Sequence, residues 1–227
     1  MKRKIITTSD GSKTIQIEDW NEQYHSIHGA IQEANHVFIK HGLLFFILEN
    51  DSEQSPINIL EIGFGTGLNA FLTLIKSEEV KKHIKYIGVE AYPVDTHEIQ
   101  QLNYIELISE DHKYEFDTMH KVSWEASHQI SSFFKLEKQQ KFFKDINDEN
   151  TFDIIYFDAF GARVQPDLWT ENIFKLMFKA MKNNGVLVTY SAKGSVRRAM
   201  EAVGFKVERL PGPPGKREML RARKMRS

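Results

Sequence analysis

The sequence predicts an α/β protein, a layered and doubly wound sheet, on three observations. The stretch Ile57 to Asn69, INILEIGFGTGLN, passes from an apolar, β-branched run through Gly63, Gly65 and Gly67 into a helix-like run, Leu68 to Ile75. That is strand, glycine turn and helix, the opening of a nucleotide-binding unit. A second apolar run, Ile84–Glu90, ends on a carboxylate 23 residues beyond Gly67. Doubly wound folds place an acid there to accept hydrogen bonds from ribose hydroxyls. From residue 57 onward strand-like and helix-like segments alternate, which argues for helices layered on a sheet.

Ahead of that core, residues 4–8 and 14–18 flank a polar turn with Asp10-Gly11 and read as a hairpin. Ser26 is placed to cap a helix that buries Ile27, Ile31, Ala34, Val37 and Phe38 and ends near Gly42. Residues 49–56 form a loop, so residues 1–56 are expected to be an extension packed on a core domain, 57–227. Within the core, Pro93 starts a helix through Leu102, and strands are expected at Phe116–His120 and Phe133–Leu136, separated by the loop KVSWEASHQIS. The run Phe152–Phe157 reads as a buried strand closed by Asp158-Ala159-Phe160. A helix over Leu168–Met181 with Asn183-Asn184-Gly185 as its C-cap, a strand at 186–191, a helix capped by Ser195 and a last strand, Phe205–Leu210, complete the chain. Trp124 and Trp169 read as packing or pocket-wall residues.

At 227 residues the chain is long enough for one domain with a substantial core. The net charge is −1, but it is unevenly distributed: from Lys193 to Ser227 there are 11 Lys/Arg against 3 acids, leaving 19 against 28 elsewhere. That polarity points to an anionic partner near the C-terminal part. No cysteine is present, which excludes disulfides and thiolate chemistry. His25, His28, His36 and His41 share no helical face and no carboxylate motif, so no metal site is expected. No apolar signal core follows the basic MKRK start and no run reaches membrane-spanning length; a soluble cytoplasmic protein is expected.

Two ligand chemistries fit the glycine turn. A dinucleotide needs room for a diphosphate, and Glu61, two residues ahead of Gly63, would repel it. The same carboxylate suits a ligand with positive charge, such as the sulfonium and amino group of S-adenosylmethionine; a purely structural role for Glu61 stays open. Asp158, at the carboxyl end of a central strand, is placed to orient an amine and take up its proton, with Phe160 as a stacking face.

These pieces together resemble the methyltransferase of bacterial tRNA 5-methylaminomethyl-2-thiouridine biosynthesis, in the bifunctional MnmC type and the stand-alone MnmD type. The matching segments are Tyr24-x-Ser26 with Gly29 and Glu33, ILEIGFGTGLN at 59–69, Glu90-x-x-Pro93, DAFGARVQPDLWTENIF at 158–174, SAKGSVRRAMEAVGF at 191–205 and GKREM at 215–219. The resemblance implies a Rossmann-like S-adenosylmethionine-dependent methyltransferase fold, with a mostly parallel seven-stranded sheet and helices on both faces. It implies methylation of the 5-aminomethyl group on the wobble uridine of tRNA. By the same analogy Glu61, Gly63, Phe64, Gly65, Gly67, Asn69 and Glu90 hold the cofactor, and Tyr24 and Glu33 help close that pocket. Asp158 and Phe160 face the amine and base, and Arg197, Arg198, Lys216 and Arg217 meet tRNA phosphates. The bifunctional type carries a flavin-dependent oxidase domain downstream; with the sequence ending at 227, that activity is expected to be absent, and another enzyme must make the aminomethyl group. Where the longer type has a Gly-Asp pair for adenine, this sequence reads LEKQQKF, and Gln139 or Gln140 would substitute. A small-molecule amine methyltransferase, an NAD-binding protein and a non-catalytic RNA-binding module are the alternatives.

Overall fold

The computed structural model describes residues 2–50 and 56–225. The expected hairpin is present: β1 (Arg3–Thr7) and β2 (Lys13–Ile17) pair antiparallel, and a short β3 (Glu22–Gln23) joins β2. Asp10 holds the connecting turn by accepting from Thr8 Oγ1 (2.7 Å) and the Ser12 amide (3.1 Å), the side-chain-to-backbone bonding that makes Asp a turn former.

The following helix departs from expectation at both ends. It starts at Ala30 rather than at Ser26, with Gly29 at its N-cap, and runs as α1 (Ala30–Ala34), a wide π-helical stretch (Asn35–Leu44) and α2 (Phe45–Glu49). Ser26 instead accepts from the His28 amide in the preceding turn (3.2 Å). Gly42 does not stop the helix, because it serves close packing. A Cβ there would lie 3.0 Å from Val188 and 3.1 Å from the Tyr156 ring, so glycine lets the helix lie on the sheet.

The main sheet has eight strands in the order β10-β11-β9-β8-β4-β5-β7-β6. These are β4 (Ile57–Ile62), β5 (Ile84–Val89), β6 (Ser127–Gln129), β7 (Phe134–Gln139), β8 (Phe152–Phe157), β9 (Met181–Thr189), β10 (Lys206–Pro211) and β11 (Glu218–Arg223). The five central strands β9-β8-β4-β5-β7 are parallel, and β6, β11 and β10 are antiparallel flanks. The count of eight, against seven expected, comes from two unexpected strands and one expected strand that is helical; the first of the two is β6, a three-residue edge inside the segment read as a loop.

Helices α3 (Leu68–Val80), α4 (Thr96–Ile99), α5 (Tyr104–Ile108) and α6 (Lys113–Lys121) follow the first strands, and α7 (Glu171–Ala180) and α8 (Gly194–Ala202) follow the later ones. The strand expected at Phe116–His120 is therefore helical: Phe116 and Met119, three apart, bury one face of α6. The helix expected from Pro93 is only α4, begun by Asp95 with a capping box to Glu98. The helix expected from Leu168 is a 3-10 turn, Pro166–Trp169, followed by α7. Asn183-Asn184-Gly185 is not its cap but an irregularity inside β9, where pairing with β8 shifts from Phe152↔Met181 to Ile154↔Val186. Lys193 rather than Ser195 stands at the N-cap of α8.

The largest correction is β11, which lies beyond the strand expected to be last. Its charges pointed to an anionic partner, yet Arg221 is bonded twice to Glu208 on β10 (2.8 and 2.9 Å). Just past the strand, buried Lys224 donates to the carbonyl oxygens of Phe178 and Met181.

Successive strand residues face opposite layers. Ile57, Ile59, Tyr86, Tyr156 and Val188 pack under α3 and the π-helical stretch, while Leu60, Ile62, Ile155, Phe157 and Leu187 pack under α7 and α8. No described helix is long and apolar enough to cross a membrane. Among the described residues no group of three or more His, Cys, Asp or Glu side chains could hold a metal ion.

Candidate active site

Strand β4 is flanked by β5 on one side and β8 on the other, so the chain reverses its direction of winding between β4 and β8. Doubly wound folds open a crevice at the carboxyl ends of such a pair. Here it is a cavity of about 980 Å³ lined by residues from the hairpin, the glycine turn, the end of β8 and the loop before β11.

The turn after β4 is shaped for close approach. Gly63 (φ 91°) crosses the chain leaving β8: a Cβ there would sit 2.9 Å from the carbonyl oxygen of Asp158. Gly65 (φ 49°) lies under Tyr24, whose ring would be 3.1 Å from an added Cβ. Glu90 stands beside the turn, accepting from the Gly65 amide (3.1 Å) and the Tyr92 amide (3.0 Å). Burial pushes its carboxyl above the usual range, against the pull of those two amides and of Arg3. This cradle suits a nucleoside whose hydroxyls meet a carboxylate. Gly67 is not on the cavity wall; it lets His120 approach the helix start, 3.0 Å from an added Cβ.

Glu61 and Asp158 are joined by one side chain. Asn69, at the start of α3, donates from Nδ2 to Glu61 Oε1 (2.9 Å) and to Asp158 Oδ2 (2.8 Å). Glu61 shares the face of Ile57 and Ile59, which α3 covers; it is 1% exposed and lies behind the cavity wall, so it is not the cavity-facing acid expected from the sequence. Burial raises its pKa well above the usual carboxylate range. Asp158 does line the cavity. Burial first, then the nearby Glu33 charge, lift its pKa to about 7, while the Asn69 hydrogen bond and Lys216 pull it down.

Around Asp158 the distant segments converge. Lys216 pairs with the buried carboxylate of Glu33, and its ammonium sits 3.9 Å from the centroid of the Tyr190 ring. Tyr190 donates to the carbonyl oxygen of Ala159 (2.8 Å). Phe160 stands edge-on between Tyr24 (4.9 Å) and Trp20 (5.7 Å), and Trp169 Nε1 holds its carbonyl oxygen (2.7 Å). Phe64 also reaches the wall, its ring filling the space over Gly88.

Other expectations fall outside the cavity. Arg197 pairs with Glu201 on α8 (3.4 Å), and Arg198 and Arg217 are exposed; of the four cations expected at tRNA, Lys216 alone lines the wall. Gln139 and Gln140 do not line it either, since Gln139 is turned to Glu137 and the Gln140 amide to Glu125. Instead Tyr92 and Phe142, 6.0 Å apart and half exposed, stand at that rim. Tyr190 was missed by sequence reasoning, although it follows β9 as Glu90 follows β5 and Asp158 follows β8. His25 and Trp20 carried no such signal.

The comparisons agree with the fold. A family model described as S-adenosyl-L-methionine-dependent methyltransferase matches residues 104–225. The chain is 28% identical over 225 residues to the tRNA 5-methylaminomethyl-2-thiouridine biosynthesis bifunctional protein MnmC of Leptospira interrogans, covering 89% of this chain and 32% of that protein. It is 26% identical over 229 residues to the MnmC of Hydrogenovibrio crunogenus, covering 96% and 33%. The chain thus spans about a third of the length of these curated relatives. The crystal structure of MNMC2 from Aquifex aeolicus superposes with a TM-score of 0.81 at 28% identity, over 98% of this chain and 70% of that one. The Rossmann-like sheet, the cofactor and the resemblance stated from the sequence are borne out: S-adenosylmethionine is the methyl donor, and the chain belongs to the S-adenosyl-L-methionine-dependent methyltransferases.

Proposed function

We propose that the chain methylates the nitrogen of a 5-aminomethyl group on the wobble uridine of tRNA. The names of the MnmC relatives support the substrate, and one structural observation carries the chemistry. Asp158 lines the crevice between β4 and β8, where burial pushes its carboxyl up to about 7, and Phe160 and Tyr24 meet edge-on along the same wall. S-adenosylmethionine, when bound, would supply a sulfonium methyl that an amine attacks in line, with the neutral thioether as the leaving group. Gly63, Gly65 and Glu90 hold the nucleoside part of the donor, and the rim pair Tyr92 and Phe142 offers faces for adenine in place of the acid of the longer relatives. Phe160 stacks on the uracil, and Asp158 orients the amine through its carboxylate. As the nitrogen lone pair forms the new N–C bond and the C–S bond breaks, the nitrogen becomes cationic, and Asp158 accepts the proton it sheds. Positioning supplies much of the rate in such a displacement. Tyr24 and Glu33 close the cavity, and Arg198 and Arg217 are free to meet phosphate. The aminomethyl group must come from an enzyme acting earlier on the same uridine, in the cytoplasm where tRNA is processed.

The test is incubation with methyl-labelled S-adenosylmethionine and tRNA lacking only this modification, followed by nucleoside analysis. Label in 5-methylaminomethyl uridine derivatives is the expected result. Label on a free amine but never on tRNA would move the reading to small-molecule methylation.

A further inference from the structure

Asn69 is an unusual residue for the first turn of α3. It does not cap its own helix, and it is 2% exposed. Both hydrogens of its amide are spent across the sheet, one on Glu61 of β4 (2.9 Å) and one on Asp158 beyond β8 (2.8 Å). Among the described residues its buried Oδ1 has no hydrogen-bond partner. A buried acceptor without a partner costs stability, and the reverse orientation of the amide would set Oδ1 against two carboxyl groups. Asp158 accepts through Oδ2 from Asn69 and, among the described residues, makes no hydrogen bond through Oδ1.

We propose that Asn69 is a positioning residue for the methyl-transfer base: anchored on the buried Glu61 behind the cavity wall, it holds Oδ2 of Asp158 and leaves Oδ1 as the oxygen that faces the amine. The inference rests on the reading of Asp158 as proton acceptor. It assigns Glu61 an indirect part, as the anchor of the amide rather than a contact to the donor's positive charge. On this proposal Asn69, itself on the cavity wall, gives a cofactor no donated hydrogen bond. A side chain committed to two carboxyl groups has no hydrogen left to offer a ligand.

The groups that bear on Asp158 come from every wall of the site: Glu33 from α1, Glu61 from β4, Tyr190 after β9 and Lys216 before β11. An N–H bond to the ionised carboxylate favours that form, so its loss should raise the Asp158 midpoint. The experiment follows the carboxyl carbon of Asp158, labelled with ¹³C and assigned with Asp158→Asn, through a pH titration of the protein without donor or tRNA. The midpoint is expected near 7 in the wild type and about one pH unit higher in Asn69→Ala. Asn69→Ser, too short to reach Asp158, is expected to shift in the same direction. In methylation assays the pH–rate midpoint should move in step, with turnover down about tenfold to a hundredfold and the KM for S-adenosylmethionine unchanged. An unmoved Asp158 midpoint in folded Asn69→Ala or Asn69→Ser overturns the proposal, as does a raised KM for the donor with an unaltered pH profile. Should the wild type methylate no tRNA, the function proposed above fails while the titration still decides the role of Asn69.

Discussion

The half of the cavity proposed to hold the donor is local in sequence, whereas the half proposed to hold the acceptor is assembled from the far ends of the chain. Gly63, Gly65 and Glu90 lie within two neighbouring strand-to-helix units, β4 and β5, and a single backbone hydrogen bond from Gly65 to Glu90 links them. The acceptor half draws Tyr24 and Glu33 from the N-terminal extension, Asp158 and Phe160 from the residues after β8, Tyr190 from the residue after β9 and Lys216 from the loop before β11. A donor site can be made by one turn geometry, because the ligand is met largely by backbone and one acid. An amine site needs opposed charges and a controlled proton, which one turn cannot supply.

The sharpest way to separate the halves is Asp158→Ala. Turnover on tRNA should fall at least about a hundredfold, the low end for loss of a general base, with donor affinity by calorimetry nearly unchanged. The mirror test is Glu90→Ala, expected to weaken donor binding about tenfold, equivalent to one charge-assisted hydrogen bond. Its turnover at saturating donor should stay close to wild type. Loss of donor binding in the first variant, or of turnover alone in the second, would erase the distinction.

A subtler break uses the charges around Asp158. Its carboxyl must be ionised to take the amine's proton, so the rate should climb as pH rises through about 7. Glu33→Gln removes a charge that raises this midpoint, and the profile should move to lower pH. Lys216→Met removes a charge that lowers it, and the profile should move to higher pH, each by up to about one unit. Shifts of the same sign would show that the two residues do not act on Asp158 electrostatically. Least in size is the effect of Arg198→Ala or Arg217→Ala. Each should weaken tRNA binding slightly and flatten the salt dependence by about 0.7 to 0.9 per lost phosphate contact, leaving donor affinity untouched.

The same contrast governs what could be read from the sequence. Strands β4, β5 and β8 are apolar runs bounded by glycine or acid, so their identity and their functional ends were legible without coordinates. Phe116–His120 was misread because the segment is short and polar, although the spacing of three between Phe116 and Met119 suits a helix, as the packing of Phe116 on Phe71 and Tyr104 bears out. Strand β11 was hidden by its charges, whose partners sit on α2 and β10. That pairing also revises the basic C-terminal region. Arg197, Arg209, Lys216, Arg221 and Arg223 are in ion pairs, and among the described residues Lys193, Arg198, Lys206 and Arg217 are not. Charge counting sees the excess but not where it is consumed. Glu61 was recognised as a carboxylate of the site, yet only the coverage by α3 places it behind Asn69 rather than in the cavity.

The clasp between Glu33 and Lys216 has a consequence for how the molecule comes into being on the ribosome. The glycine turn already needs β8, because Gly63 packs on the chain leaving that strand, and Glu33 waits longer still, for a lysine encoded more than 180 positions after it. Until the last strand is made, the buried Glu33 carboxylate stands without its cation, so this wall of the cavity is among the last parts of the molecule to be completed.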